Sequence, residues 1–414
     1  MGFPPRRVYG IARISAIQGW DMKWSGLRAT RSHRGEKRVP TVIFLDEMKW
    51  EAFFQLAAKI RKNGVRCVRV TSVPQKASRL VSRLIFADCV YLTTSKQEEI
   101  LRSVLRSENV VDLQFSENYT ELVQRCSTEL PPTLVEEIVK RVALMDKVAS
   151  LELMQRAGVP TPARISLSSP EVDCFIQTHG LPVVLKNRFG YGGSGVTVFS
   201  DRVALFDQIQ SIGDAVDEYF IEAYVEGVRM NYGAAVVNGS VAQESCYATT
   251  KSANPLGPST QIETVRSDEV LLLGRRIVLA STCNGLMNIN FMQDKDGTCW
   301  PVDFNLRTFG KVTSFQKAGL DFREGYLRSL GMETPVTASQ ARVGVTLDSY
   351  PEAQRTLIRE HHLFKGLAGV LAKAPENARS VSWRYTALEV LALITMTYEG
   401  RRQPSSSPGI PDQK

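Results

Sequence analysis

Residues 181–196, LPVVLKNRFGYGGSGV, constrain the fold more than any other stretch of the chain. An apolar run from Leu181 to Leu185 ends in Lys186, crosses a segment with four glycines in six residues (Gly190 to Gly195), and re-enters an apolar run at Val196. Short β-branched runs bounded by glycine read as strands, and glycine admits the positive φ and close backbone approach that a loop over phosphate needs. A Walker-type loop or a dinucleotide fingerprint leads directly into a helix. Here Val196, Val198 and Phe199 alternate as a strand, which disfavours both. The stretch therefore reads as strand, loop, strand. Taken alone, it fits a triphosphate lid and a glycine-rich hairpin with a surface lysine about equally well.

The 414 residues, 43% hydrophobic and 23% charged, have ordinary globular composition. At roughly 150 residues per domain they predict two or three domains. Most of the formal charge of +8 lies in residues 1–39, where nine Arg and Lys face only Asp21 and Glu36, so the body is near neutral. That arm lacks periodicity and interleaved aromatics, so nucleic acid is not the expected partner. It reads as a disordered extension or as translated sequence upstream of the true start; its arginine-rich, acid-poor composition also suits a transit peptide. Seven dispersed cysteines without a Cys-x-x-Cys pair read as reduced thiols of a cytoplasmic protein, and the four histidines form no triad or helical metal pair. The longest apolar stretch, Thr386 to Tyr398, includes Glu389 and is too short to span a bilayer, so no membrane partner is expected. It reads as a buried helix or one that pairs two subunits in a homodimer.

In chain order, Val42–Leu45 reads as a strand, Trp50–Lys62 as a helix and Val65–Val70 as a strand. Val81–Tyr91 holds a further strand candidate (Leu84-Ile-Phe-Ala87), Lys96–Arg106 reads as a helix and Val110–Phe115 as a strand. Strands alternating with helices imply parallel βαβ units, here over residues 40–140. Helices follow at 134–144 and from Lys147 to Gly158, then at 171–178 and from Asp201 to Ile212. Tyr219–Val225 is a strand interrupted at Glu226-Gly227, and two alternating runs, 229–237 and 241–249, flank the hairpin signal Asn238-Gly239. A long helix at 267–283 precedes a second hairpin, 286–292 and 300–304, around Asp294–Gly297. Helical segments are expected from Lys311 to about Tyr398, and residues 403–414 read as a disordered tail.

The second hairpin brings Asn290, Asp303, Asn305 and Arg307 to the ends of adjacent strands. Residues two apart on a strand share a face, so Asp303, Asn305 and Arg307 converge if the strand stays extended. Oxygen ligands beside a guanidinium suit a magnesium nucleotide, because magnesium takes one or two carboxylates plus phosphates and arginine grips phosphate through two N–H groups. A solvated polar edge is the simpler alternative.

Lys147 in an Asp-Lys pair, the Pro-Val-Val-Leu-Lys-x-x-x-Gly-x-Gly-Gly-x-Gly-Val stretch, Phe220-Ile-Glu-Ala-Tyr-Val-Glu-Gly227 and Asp303-x-Asn305-x-Arg307 occur in the order of the ATP-grasp family. The resemblance covers roughly Leu144 to Gly331. It implies an α/β and α+β protein, with an ATP-grasp domain over 141–331, a preceding βαβ (preATP-grasp-like) domain over 40–140 and a helical C-terminal segment over 332–402.

The resemblance further implies ATP and Mg2+ as cofactors. Lys147 and Lys186 would hold phosphates under the loop Gly190, Tyr191, Gly192, Gly193, Ser194 and Gly195. Glu222, Ala223, Tyr224, Val225 and Glu226 would bind the nucleoside, with Glu222 on the adenine amino group and Glu226 on the ribose. Asn290, Asp303 and Asn305 would ligate magnesium, and Arg307 would meet the transferred phosphoryl group or the acyl phosphate. The family usually has glutamate at the position of Asp303 and an acidic residue or glutamine at that of Asn290, so this site has one carboxylate where many relatives have two. The implied activity is an ADP-forming carboxylate–amine ligase acting on small molecules through an acyl phosphate. The alternatives are a bicarbonate-activating carboxylase or carbamoyl-type ligase, and a non-catalytic nucleotide-binding protein whose basic arm binds nucleic acid. Thr249, Thr250, Lys251, Ser259, Thr260 and Arg266 offer polar groups for the acid and amine.

Overall fold

The computed structural model describes residues 39–349, apart from 47–50, 73–81, 83, 191–194, 253–256 and 336–337, together with the single positions 368 and 387. The basic arm up to residue 38, the four loop residues Tyr191 to Ser194, the helix expected at 386–398 apart from position 387, and the tail at 403–414 thus lie outside the described residues.

A four-stranded parallel sheet in the order β3-β2-β1-β4 opens the described chain, with β1 (Pro40–Asp46), β2 (Arg66–Thr71), β3 (Asp88–Tyr91) and β4 (Asn109–Phe115). Helices α1 (Glu51–Lys62) and α2 (Gln97–Ser107) lie between its strands in sequence. A parallel sheet covered on both faces needs apolar residues at every position. β1 shows this directly: Val42 and Phe44 enter one core, Ile43 and Leu45 another. Leu84-Ile-Phe-Ala87 is not the expected strand. Leu84 and Ile85 are helical, the Phe86 amide donates to Ser82 O at 2.7 Å, and the strand starts at Asp88. Ile85 and Phe86 are buried against Phe44 and Phe54, so a turn meets the same apolar demand as a strand.

After a 3-10 turn at Glu117–Tyr119 come α3 (Thr120–Cys126), α4 (Pro132–Leu144) and α5 (Lys147–Arg156). An antiparallel sheet, β5-β8-β6-β7, is built from β5 (Arg164–Ser166), β6 (Val183–Asn187), β7 (Val196–Phe199) and β8 (Tyr219–Ala223). It carries α6 (Val172–His179) and α7 (Arg202–Ile212), the latter capped by Asp201, whose carboxylate accepts from the Ala204 amide at 2.8 Å.

The largest sheet is six-stranded and antiparallel, β13-β12-β9-β10-β11-β14. It contains β9 (Val228–Val237), β10 (Ser240–Ser252), β11 (Ser259–Thr264), β12 (Gly285–Gln293), β13 (Cys299–Asn305) and β14 (Thr346–Asp348), with α8 (Asp268–Ser281) and α9 (Phe322–Ser329). The hairpin at Asn238-Gly239 forms as expected, both residues having positive φ. β14 corrects the all-helical reading of the segment after Lys311: three residues pair with β11 and bury Leu347 completely, a length over which no periodicity is readable.

One continuous core joins α1 to α9 and to the large sheet, with Phe53, Phe54 and Leu56 in the same cluster as Ala235, Leu286, Phe322 and Tyr326. The parallel sheet is therefore packed onto the large sheet rather than tethered to it.

Candidate active site

Lys186 lies on β6, where Val183 and Leu185 point into the small sheet's own core and Val184 and Lys186 point the other way. Its Nζ donates to the carbonyl of Val302 on β13 at 3.2 Å and forms an ion pair with Glu222 on β8. In the β6–β8 ladder Val184 faces Glu222 and Lys186 faces Phe220, so lysine and glutamate are diagonal neighbours on one face. Both side chains are buried. Burial raises the pKa of Glu222, opposed chiefly by Lys186 and also by Arg164, while Asp303 adds to the rise. The carboxylate of Asp303 is thus part of the electrostatic surroundings of this pair.

Lys147 is the first residue of α5, capped by Asp146, whose carboxylate accepts from the Val148 amide at 2.9 Å. Its ammonium donates to the Gly190 carbonyl at 2.7 Å and its amide to Arg188 O at 3.0 Å. Arg188 in turn pairs with Asp146, which pins the exit of β6 to the start of α5. The other side of the loop closes where the Asn187 amide donates to Gly195 O at 2.8 Å. Gly195 has φ +75°, and a Cβ there would lie 2.9 Å from Asn187 Cβ, so the loop base demands glycine.

Residues 224–227 connect β8 of the small sheet to β9 of the large one. Gly227 passes so close to the end of β12 that a Cβ would stand 2.0 Å from Gln293 O. The Ala223 amide donates to Ala163 O at 2.8 Å, which leaves its carbonyl as the backbone group that could meet a base. Tyr224 and Glu226 are exposed, and the second oxygen of Glu222 is buried without a hydrogen-bond partner. Such an orphaned acceptor suits an amino donor.

Across the gap, β12 and β13 pair Asn290 with Asp303 and Asn288 with Asn305. Asp303 Oδ2 accepts from Asn290 Nδ2 at 3.2 Å and from Asn305 Nδ2 at 2.8 Å, so the three expected ligands converge. No group of three His, Cys, Asp or Glu side chains suited to a metal occurs among the described residues. One carboxylate flanked by two carboxamides fits a single magnesium that keeps waters and takes phosphate oxygens.

Arg307 departs from the expected convergence along an extended strand. β13 ends at Asn305, and the Arg307 guanidinium turns to the domain that precedes the motifs: Nε donates to Glu117 Oε1 at 2.8 Å and Nη2 stands 2.8 Å from the same oxygen. Gln114 Oε1 accepts from both the amide and the hydroxyl of Thr308, at 3.1 and 2.9 Å. Glu117 and Gln114 carry no motif and were absent from the sequence reading; the one available signal is that Glu117 follows a predicted βαβ strand at its carboxyl end, where ligands of such sheets collect.

Residues 146–240 match the family described as carbamoyl-phosphate synthase L chain, ATP binding domain. The chain is 25% identical over 207 residues to a D-alanine–D-alanine ligase of Stutzerimonas stutzeri, covering 45% of this chain and 64% of that protein, so it spans a little under two thirds of that relative. Among solved structures it resembles the N5-carboxyaminoimidazole synthetase of Staphylococcus aureus complexed with ADP (TM-score 0.62, 15% identity, 78% of this chain and 86% of that one). It also resembles an L-amino acid ligase of Bacillus licheniformis (TM-score 0.54, 16% identity, 71% and 75%). The class that fold and ATP-binding segment define is the one the motifs resemble. The chain shares the fold of these structures, and its residues 146–240 are similar to that family's ATP binding domain, in keeping with the ATP-grasp resemblance of its motifs.

Proposed function

We propose that the protein is an ATP-dependent ligase that joins a small carboxylate to an amine. The observation that carries the reading is Lys186, a buried cation shared between the strand entering the glycine loop and the strand bearing Asp303. In this reading Lys147 and Lys186 hold phosphates beneath Gly190 to Gly195, including Tyr191, Gly192, Gly193 and Ser194. Glu222 receives the adenine amino group on its unpartnered oxygen, the backbone at Ala223 and Val225 reads the base edge beside Tyr224, and Glu226 takes the ribose. Magnesium, held by Asn290, Asp303 and Asn305, would neutralise phosphate charge.

A carboxylate oxygen attacks the γ-phosphorus, the bond to the bridging oxygen breaks and ADP leaves. The amine then attacks the carbonyl carbon of the acyl phosphate, expelling phosphate and losing a proton to give the amide. Lys186 and Arg307 stabilise charge on the transferring group, and the loop excludes water that would hydrolyse the intermediate. All seven cysteines are free, which agrees with a cytoplasmic setting, and no helix among the described residues is long and apolar enough to cross a membrane.

The test is phosphate release by the full chain with magnesium and ATP, screened over amino acids, small carboxylates and amines, with bicarbonate as a separate arm. Release that needs both an acid and an amine, with ADP as co-product, is expected. Release with bicarbonate alone would move the protein to the carboxylases. No release in any arm would leave a nucleotide-binding protein.

A further inference from the structure

We propose that Glu117, supplied by the N-terminal domain, is the positioning residue of Arg307, and that the guanidinium engages the terminal phosphate only in the pose this carboxylate fixes. The proposal rests on the assignment of Arg307 to the transferred phosphoryl group. Arg307 lies two residues beyond the end of β13, where the ladder no longer dictates its direction. What holds it comes from another sheet. Glu117 Oε1 takes Nε and Nη2, Gln114 Oε1 takes the next residue's amide and hydroxyl, and Gln114 is itself anchored by its Nε2 on Asp112 Oδ2 at 2.8 Å. Arg307, Thr308, Gln114 and Glu117 are all buried.

Two further features separate this arrangement from a mere structural tie. The sheet order β3-β2-β1-β4 reverses direction between β1 and β4, and Glu117 sits just past the carboxyl end of β4, at the switch point where open α/β sheets receive ligands. Glu117 Oε2 is also buried with no hydrogen-bond partner. A buried ion pair kept only for stability is usually replaceable by apolar side chains, and an unsatisfied buried oxygen makes it less favourable still.

The test uses the full chain as Glu117→Gln, Glu117→Asp, Arg307→Lys and the Glu117→Gln/Arg307→Lys double variant. Calorimetry measures magnesium-dependent binding of ADP and of the non-hydrolysable triphosphate AMPPNP. Expected are ADP affinities within about twofold of the parent, and AMPPNP binding about tenfold weaker in Glu117→Gln, the scale of one misplaced charge-assisted contact. Glu117→Asp, which shortens the arm and keeps the charge, falls between parent and Gln. The double variant should be no weaker than the worse single one. Unchanged AMPPNP affinity in both Glu117 variants, equal weakening of ADP, or multiplying losses in the double variant would overturn the proposal. Loss of AMPPNP discrimination in a protein that releases no phosphate with any acid and amine would sink the ligase reading and retain the inference.

Discussion

Two buried cation–carboxylate pairs face the site, and they are built in opposite ways. Lys186 and Glu222 are 36 residues apart on adjacent strands of one antiparallel sheet, and each occupies a motif position. Arg307 and Glu117 are 190 residues apart, just past the ends of strands in different sheets, and only the arginine lies in a motif. In the proposed reading a local ladder aims the charge on the nucleotide side, since the β6–β8 pairing sets Lys186 and Glu222 diagonally on one face. On the phosphate-transfer side the aim depends on one domain packing against another. In the proposed reading the second pair makes the N-terminal domain a working part of the site and not only a neighbour.

The change that most severely breaks the first pair is Lys186→Ala. It removes a cation from the proposed phosphate site and leaves Glu222, whose pKa burial already raises, without the partner that opposes that rise. We expect ATP-dependent phosphate release to fall by about a thousandfold or more, the scale of a lost transition-state electrostatic contact. Circular dichroism should report an intact fold, since β6 keeps its ladder. A variant that retains turnover would show that the bridge to Val302 is structural only.

Asp303→Asn is the next largest change and sharpens the comparison, because Asp303 lies on the strand that Lys186 touches and that leads to Arg307. It removes the single carboxylate of the cluster while keeping side-chain volume. The magnesium concentration for half-maximal activity should rise by about tenfold, with no comparable change in the affinity of metal-free nucleotide. An unchanged magnesium titration would move the metal elsewhere.

The same contrast explains what the sequence revealed. Long strands and helices with clear periods, the Asp201 cap and the Asn238-Gly239 turn were all legible, because each depends on neighbours within a few residues. Lys147, Lys186 and Glu222 could be ordered along the chain, and Asn290, Asp303 and Asn305 could be placed on one hairpin face for the same reason. The strands of three residues, β5 and β14, carry too few positions for a period to show, and β11 lay in a stretch read only as polar groups. The apolar run 84–87 satisfies burial equally well as a turn. Glu117 was missed because its partner, Arg307, is fixed only when separate segments pack.

Gly195→Ala tests the asymmetry at its finest. At φ +75° an alanine costs roughly 1–2 kcal/mol from backbone strain alone. Its methyl also meets Asn187 Cβ at 2.9 Å, and Asn187 closes the loop through its bond to the Gly195 carbonyl. Either the loop base opens or β6 shifts, and β6 is held on both edges by β7 and β8, so the loop should give way. The expected outcome is a rise of about three- to tenfold in the KM for ATP, with kcat changing by less than about threefold, because the strain acts on the nucleotide side and leaves Arg307 and Glu117 untouched. Steady-state kinetics at saturating acid and amine would decide it. If kcat collapses while KM stays constant, the two sides are coupled through the loop and the separation drawn between the two pairs does not hold.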